Sequence, residues 1–260
     1  MTRAICCVPV SPQRAEPSHR TEMITQLIFG ECCEILETTR DNWTRIRGSY
    51  DGYESWCTSS HLTEIDANEF ENSNTALTPD WVASLEYNGH PMMVPLGSSL
   101  TAMKNGRAHW RKNIVHYKGK IWDTAVGPTD AKSIRHLTYK FLNTPYLWGG
   151  KTVFGVDCSG FAQTVFKFLG VPLLRDAAQQ ATQGESIGFL EEAKTGDLAF
   201  FDNEEGRITH VGILLNSHEI IHSSGKVRVD KIDNMGIVQS ETSRRTHPLR
   251  LLKRVLLLPA

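Results

Sequence analysis

The apolar pattern of this chain changes period once, near residue 129, and that change limits the folds open to it. Before it, short apolar stretches at 24–29, 32–36, 43–46 and 53–57 are cut by Gly30, Asp41-Asn42 and Asp51-Gly52. Stretches of strand length at this spacing predict a small β-barrel. Asp51-Gly52 suits a hairpin turn, because glycine takes positive φ without a Cβ clash. Residues 64–80 carry Glu64, Asp66, Glu69, Glu71 and Asp80 with Asn68, Asn72, Ser73 and Asn74 among them and no basic residue, which reads as a linker or surface loop. A β-like pattern returns over 81–125, with an Asn88-Gly89 turn and strand candidates at 114–117 and 120–123. Beyond 129 the spacing turns helical over 131–142 (Ile134, Leu137, Tyr139, Phe141) and again over 158–169 (Phe161, Val165, Phe168, Leu169), where Gly170 and Pro172 act as stop signals. Strand candidates follow at 197–201, 210–215, 219–223 and 251–258. The order implies domains over 1–66, 67–128 and 129–260: small all-β barrels, then an α+β domain with helices first and an antiparallel sheet after.

Composition narrows the class. The 260 residues exceed one small module, and 40% hydrophobic with 22% charged residues excludes a disordered or collagen-like chain. A net charge of -1 supplies no global pull toward nucleic acid or an anionic membrane. No apolar run reaches the roughly 18 residues that span a bilayer. Lys104, Arg107, Arg111, Lys112, Lys118 and Lys120 form an acid-free basic stretch, either a solvated barrel face or a contact for an anionic polymer. Neither a nucleic-acid nor a membrane partner is expected, and a monomer is. The start, Met-Thr-Arg-Ala-Ile-Cys-Cys-Val-Pro-Val, lacks the features of a secretory signal. A cytoplasmic location with reduced thiols is therefore the expectation. Five of the six cysteines (Cys6, Cys7, Cys32, Cys33, Cys57) lie in the first 57 residues without C-x-x-C spacing, and are read as small buried hydrophobes rather than zinc ligands.

The sixth, Cys158, stands alone in the α+β part, after Tyr146-Leu147-Trp148-Gly149-Gly150 and Asp157. A cysteine opening a helix sits among unpaired N–H groups at the positive end of the helix dipole, which favours thiolate and makes a nucleophile. A buried inert cysteine is the alternative. A thiolate nucleophile needs a base, and His210 opens an apolar strand beside Gly212. His222 ends the next strand. A hairpin through 216–219 would bring the two imidazoles together, so that one fixes the tautomer of the other. Two patterns fail as sites. Gly150-Lys151-Thr152 ends like a phosphate loop, but Pro145 stands where its first glycine belongs. His218 and His222 have zinc-like spacing in a segment that reads as turn and strand. No metal and no cofactor is expected.

Several spaced motifs together carry a resemblance. Tyr146-Leu147-Trp148-Gly149-Gly150, Asp157-Cys158-Ser159-Gly160-Phe161, Gly196-Asp197-Leu198-Ala199-Phe200-Phe201, Thr209-His210-Val211-Gly212-Ile213 and Ile220-Ile221-His222-Ser223-Ser224 resemble the NlpC-type family of cell-wall cysteine peptidases over roughly 129–255. The resemblance implies a papain-like α+β core, with Cys158 as nucleophile, His210 as base, His222 as orienting residue and Tyr146 near the oxyanion. Tyr50-Asp51-Gly52-Tyr53-Glu54-Ser55-Trp56-Cys57 resembles a strand of bacterial Src-homology-3-like barrels, with Ser55 in place of the usual glycine. Barrels before the peptidase resemble the γ-D-glutamyl-L-diamino acid endopeptidase subgroup. That subgroup acts on murein-derived peptides such as L-Ala-γ-D-Glu-diaminopimelate with a free N-terminus. By that resemblance Glu22, Tyr53, Asp157, Ser159 and Asp176 contact substrate, and Ala177 lies where some members carry a hydroxyl. Three other readings remain open at this stage: a secreted hydrolase of intact peptidoglycan, an acyltransferase or amidase on the same core, and a non-catalytic wall-binding protein.

Overall fold

A computed structural model describes residues 2–71 and 76–256. Asn72, Ser73 and Asn74 of the acidic segment, and the last two residues of the strand candidate at 251–258, lie outside the described residues. The chain divides into two compact units: Met1–Gly127 with Trp148–Val153, and Pro128–Leu147 with Phe154–Ala260.

In the first unit, β1 (Thr2–Cys6), β2 (Val10–Arg14), β3 (Met23–Ile28), β4 (Cys32–Thr38), β5 (Trp43–Gly48), β6 (Glu54–Thr58) and β7 (Leu62–Glu64) form one antiparallel sheet in the order β3-β2-β6-β5-β4-β1-β7. Cys6, Cys33 and Cys57 pack with Ala4, Leu27 and Ile46 in its core, small apolar fillers as their burial requires. A second sheet holds β8 (Val82–Tyr87), β9 (His90–Pro95), β10 (Arg107–Trp110) and β11 (Asn113–His116) in the order β9-β8-β11-β10. The two sheets share a core: Ile5, Phe29 and Cys32 pack with Leu85, Trp110 and Val115. Gly30 (φ 77°) makes this approach possible, since a Cβ there would lie 1.8 Å from the Ser99 carbonyl oxygen. The acidic segment is more ordered than a loop, with a short helix at Ala67–Glu71 and a two-residue strand at Ala76–Leu77. The strand candidate at 120–123 shrinks to Trp122–Asp123, paired with that strand.

Trp148–Val153 belongs to this first unit. Lys151, from the failed phosphate-loop pattern, is buried there with its ammonium 3.3 Å from both oxygens of Glu31, and its N–H donates to Gln26. Burial of a lysine demands such a partner.

In the second unit, helices α1 (Ala131–Tyr139), α2 (Cys158–Phe168) and α3 (Ala177–Gln180) precede or flank the strands β12 (Glu185–Ile187), β13 (Leu198–Asp202), β14 (Ile208–Asn216), β15 (Glu219–Ser224), β16 (Lys226–Asp233), β17 (Gly236–Val238) and β18 (Arg245–Arg254). The order is β12-β18-β13-β14-β15-β16-β17, and β18 also pairs with β17. The antiparallel sheet therefore curls into a barrel filled by Phe201, Leu214, Ile220, Ile232, Ile237 and Leu252. Sequence reading gave α2 one apolar side, yet all eleven of its residues are buried. It is a core helix packed against β14 and β15, with Phe141 edge-on to Phe161 at 5.4 Å.

Candidate active site

Cys158 is the first residue of α2, and the turn before it explains its position. Asp157 is the N-cap, with extended backbone, and accepts from the Gly160 N–H at 2.6 Å. The carboxylate is also gripped by buried Arg175, whose two terminal nitrogens reach its two oxygens at 3.1 and 2.6 Å. One of those nitrogens donates to Ser159 Oγ as well, at 2.9 Å. Asp157 and Ser159 thus use their polar groups in anchoring the first turn of the helix that carries the thiol.

The expected thiolate is not what this environment favours. Burial, then the Asp157 carboxylate, push the Cys158 thiol up to about 12. The backbone N–H groups of Val211 and Ser159, and the Arg175 guanidinium, pull the other way and lose. The helix terminus acts in the expected direction, but the residue is only 7% exposed, and desolvation of the anion is the larger effect. A raised thiol value favours the folded protein below the ordinary thiol range, and that contribution fades as pH climbs toward 12. Alkylation of Cys158 by iodoacetamide, followed by peptide mass spectrometry, should be slow at pH 7 and accelerate about tenfold per pH unit above 8. A flat rate between pH 6 and 9 would instead reveal a preformed thiolate.

The imidazoles meet through the hairpin. The β14–β15 register pairs Gly212 with His222. A Cβ on Gly212 would lie 2.6 Å from Ile220 Cδ1 and 2.9 Å from His222 Cβ, so only glycine lets β14 and β15 pack as they do here. His210 Nε2 stands 2.8 Å from His222 Nδ1. His222 Nε2 stands 3.0 Å from Asp230 Oδ2. His247 stacks on His210 at 4.3 Å between ring centroids and 29° between planes, and Phe201 flanks it at 5.7 Å. Burial, with the neighbouring His222 and His247, holds His210 well below the usual histidine range. The resting pair is therefore a neutral thiol and a neutral imidazole. The thiol also lies against the backbone N–H of Val211, the residue after His210.

Tyr146 belongs to the same unit, tied by its N–H to the Gly225 carbonyl at 2.9 Å. Burial and the nearby Cys158 and Asp157 raise its phenol, which stays protonated and able to donate. Asp176 caps α3, its N–H donating to Gln179 Oε1 at 3.1 Å. Glu22 and Tyr53 belong to the first unit, where Glu22 accepts from the Trp148 indole at 2.5 Å. Sequence reading gave Arg175 no role and missed Asp230, Arg228 and His247. For Asp230 and Arg228 one signal existed: they stand two apart on a strand and so share a face. An Arg-x-Asp alternation reads as solvent-facing, whereas here it points inward.

A core helix with cysteine at its first turn, packed on an antiparallel barrel, is the papain-like cysteine-peptidase arrangement. Residues 143–246 match the NlpC/P60 family, and residues 14–62 match the bacterial dipeptidyl-peptidase Sh3 domain. A probable endopeptidase of Haemophilus influenzae is 35% identical over 112 residues, which are 42% of this chain and 67% of that protein. A gamma-D-glutamyl-L-lysine dipeptidyl-peptidase of Bacillus subtilis is 47% identical over 85 residues, 32% of this chain. The chain spans 28% of that relative's length. The crystal structure of an NlpC/P60 family protein from Bacillus cereus shares the fold, with a TM-score of 0.80 and 19% identity over 98% of this chain and 100% of that one. The chain belongs to the NlpC/P60 family.

Proposed function

We propose that this protein is a cysteine peptidase that cleaves the γ-D-glutamyl–diamino acid bond of murein-derived peptides carrying a free N-terminal L-alanine. The observation that carries the reading is the run of hydrogen-bonded side chains behind a helix-borne thiol: His210 to His222 at 2.8 Å, with Cys158 held at the helix start by Asp157. The name of the Bacillus subtilis relative, a gamma-D-glutamyl-L-lysine dipeptidyl-peptidase, supports the bond type, and the matched Sh3 domain supports the subgroup.

With both groups neutral at rest, attack and proton transfer go together. His210 takes the thiol proton as sulfur adds to the γ-carbonyl. The Cys158 N–H and the Tyr146 hydroxyl donate to the oxyanion. The imidazolium then protonates the departing amine, leaving a thioester. Water, losing its proton to neutral His210, hydrolyses the thioester and returns the free thiol. Recognition of the free ammonium end is proposed to rest on a carboxylate that pairs with it, a charge that an acyl or glycan substituent removes.

Product analysis with three substrates tests this: L-Ala-γ-D-Glu-diaminopimelate, its N-acetylated form, and the same peptide on glycan. Release of L-Ala-D-Glu from the first alone is the expected result. Equal cleavage of all three would overturn the free-amine requirement and favour an enzyme of intact wall.

A further inference from the structure

Behind the two imidazoles lies a group that the peptidase reading does not use. Asp230 is 2% exposed, and both of its oxygens are fully engaged. Oδ2 receives His222 Nε2 at 3.0 Å and Arg228 Nε at 2.7 Å. Oδ1 receives Arg228 Nη2 at 3.1 Å and the Ser240 N–H at 2.8 Å. Burial alone would neutralise such a carboxyl. The donors from His222, Arg228 and Ser240 outweigh it and hold the group well below the usual carboxylate range.

We propose that Asp230 is a positioning residue that sets the tautomers of both imidazoles and so presents a bare His210 Nδ1 to the Cys158 thiol. The proposal rests on the peptidase reading above. An ionised carboxylate can only accept, so the proton between it and His222 sits on His222 Nε2. With that proton on Nε2, the Nδ1 of His222 is left to accept across the 2.8 Å contact with His210. The proton between the rings therefore sits on His210 Nε2. One nitrogen of His210 remains, Nδ1, and it carries the lone pair that can take the thiol proton. A single carboxylate thus orders the protons of two side chains. Arg228 compensates its charge, so Asp230 acts by hydrogen-bond direction more than by an added negative field. No bond to substrate is involved, and the proton that moves in the reaction passes only between Cys158, His210 and the leaving amine or water.

The variant Asp230→Asn inverts the string, because its amide can donate to His222 Nε2. His222 would then carry its proton on Nδ1, and His210 would present N–H to the thiol. The full chain with 15N-labelled histidine, read by NMR at pH 7, should show both rings protonated on Nε2. Either ring protonated on Nδ1 instead overturns the proposal, and this readout needs neither activity nor a variant. With L-Ala-γ-D-Glu-diaminopimelate, D230N should lose about a thousandfold to ten-thousandfold in kcat, as a reversed tautomer does elsewhere, with KM nearly unchanged. A folded D230N that keeps wild-type kcat sinks the idea. A wild-type protein that cleaves no such peptide would remove the substrate reading, while the tautomer measurement still decides the role of Asp230.

Discussion

Cys158→Ala should abolish turnover of the free-amine peptide, by about ten-thousandfold or more, while the protein stays folded. The reason is local. The side chain sits at the start of a helix whose cap, the Asp157–Gly160 contact, does not involve the sulfur. Alanine fits the same space and is a good helix former, so the cap and the Arg175 clamp persist. What goes is the sole atom able to form the thioester, and loss of a nucleophile removes nearly all the rate that a catalytic set supplies. Cys158→Ser should be almost as inactive. A hydroxyl is far less acidic than a thiol, and burial has already weakened His210 as a proton acceptor. Liquid chromatography of released L-Ala-D-Glu, alongside thermal melts of each variant, checks both. Retention of more than a few per cent of activity in a folded C158A protein would show that the chemistry lies elsewhere.

The largest stability effect is expected at Arg175. It is 1% exposed and bonds to both oxygens of a carboxylate that is itself buried. Removing one partner of a buried pair leaves an uncompensated charge, so Arg175→Met should cost about 3–5 kcal/mol in urea unfolding. The Ser159 contact and the accurate placement of the first turn of α2 go with it. Because the guanidinium also lowers the Cys158 thiol, its loss drives that thiol further from ionisation. The double variant Asp157→Asn with Arg175→Met separates charge from packing. Asparagine still caps the helix but carries no charge, so the double variant should recover a good part of the loss. A loss under about 1 kcal/mol for R175M alone would show that the pair contributes no more than a surface ion pair does.

The fold class was legible in the sequence where periodicity decides structure. Short apolar runs between glycine and asparagine turns read as strands, and the 3.6-residue spacing after 129 read as helices. What was not legible concerns contacts between segments far apart in the chain. Nothing in the pattern of 1–128 says that Phe29 and Trp110 share a core, or that the last sheet closes because β18 bonds at both of its sides. Closure turns strand faces inward that alternation alone would assign to solvent, and for that reason Arg228 and Asp230 were passed over.

Cys158, His210 and His222 could be named as candidates because each reads in the sequence as the end of an element; Cys158 does open α2, whereas His210 and His222 lie inside β14 and β15. Local sequence therefore determined which side chains are candidates for the chemistry, since caps and turns are set by neighbours a few residues away. The protonation states were decided by the tertiary structure. The helix start argued for a thiolate, and burial argued against it and won, because removing an anion from water outweighs the pull of a few backbone N–H groups. The direction in which the two imidazoles point their protons depends on Asp230, on the strand after His222. Only the barrel brings Asp230, His222 and His210 into one line.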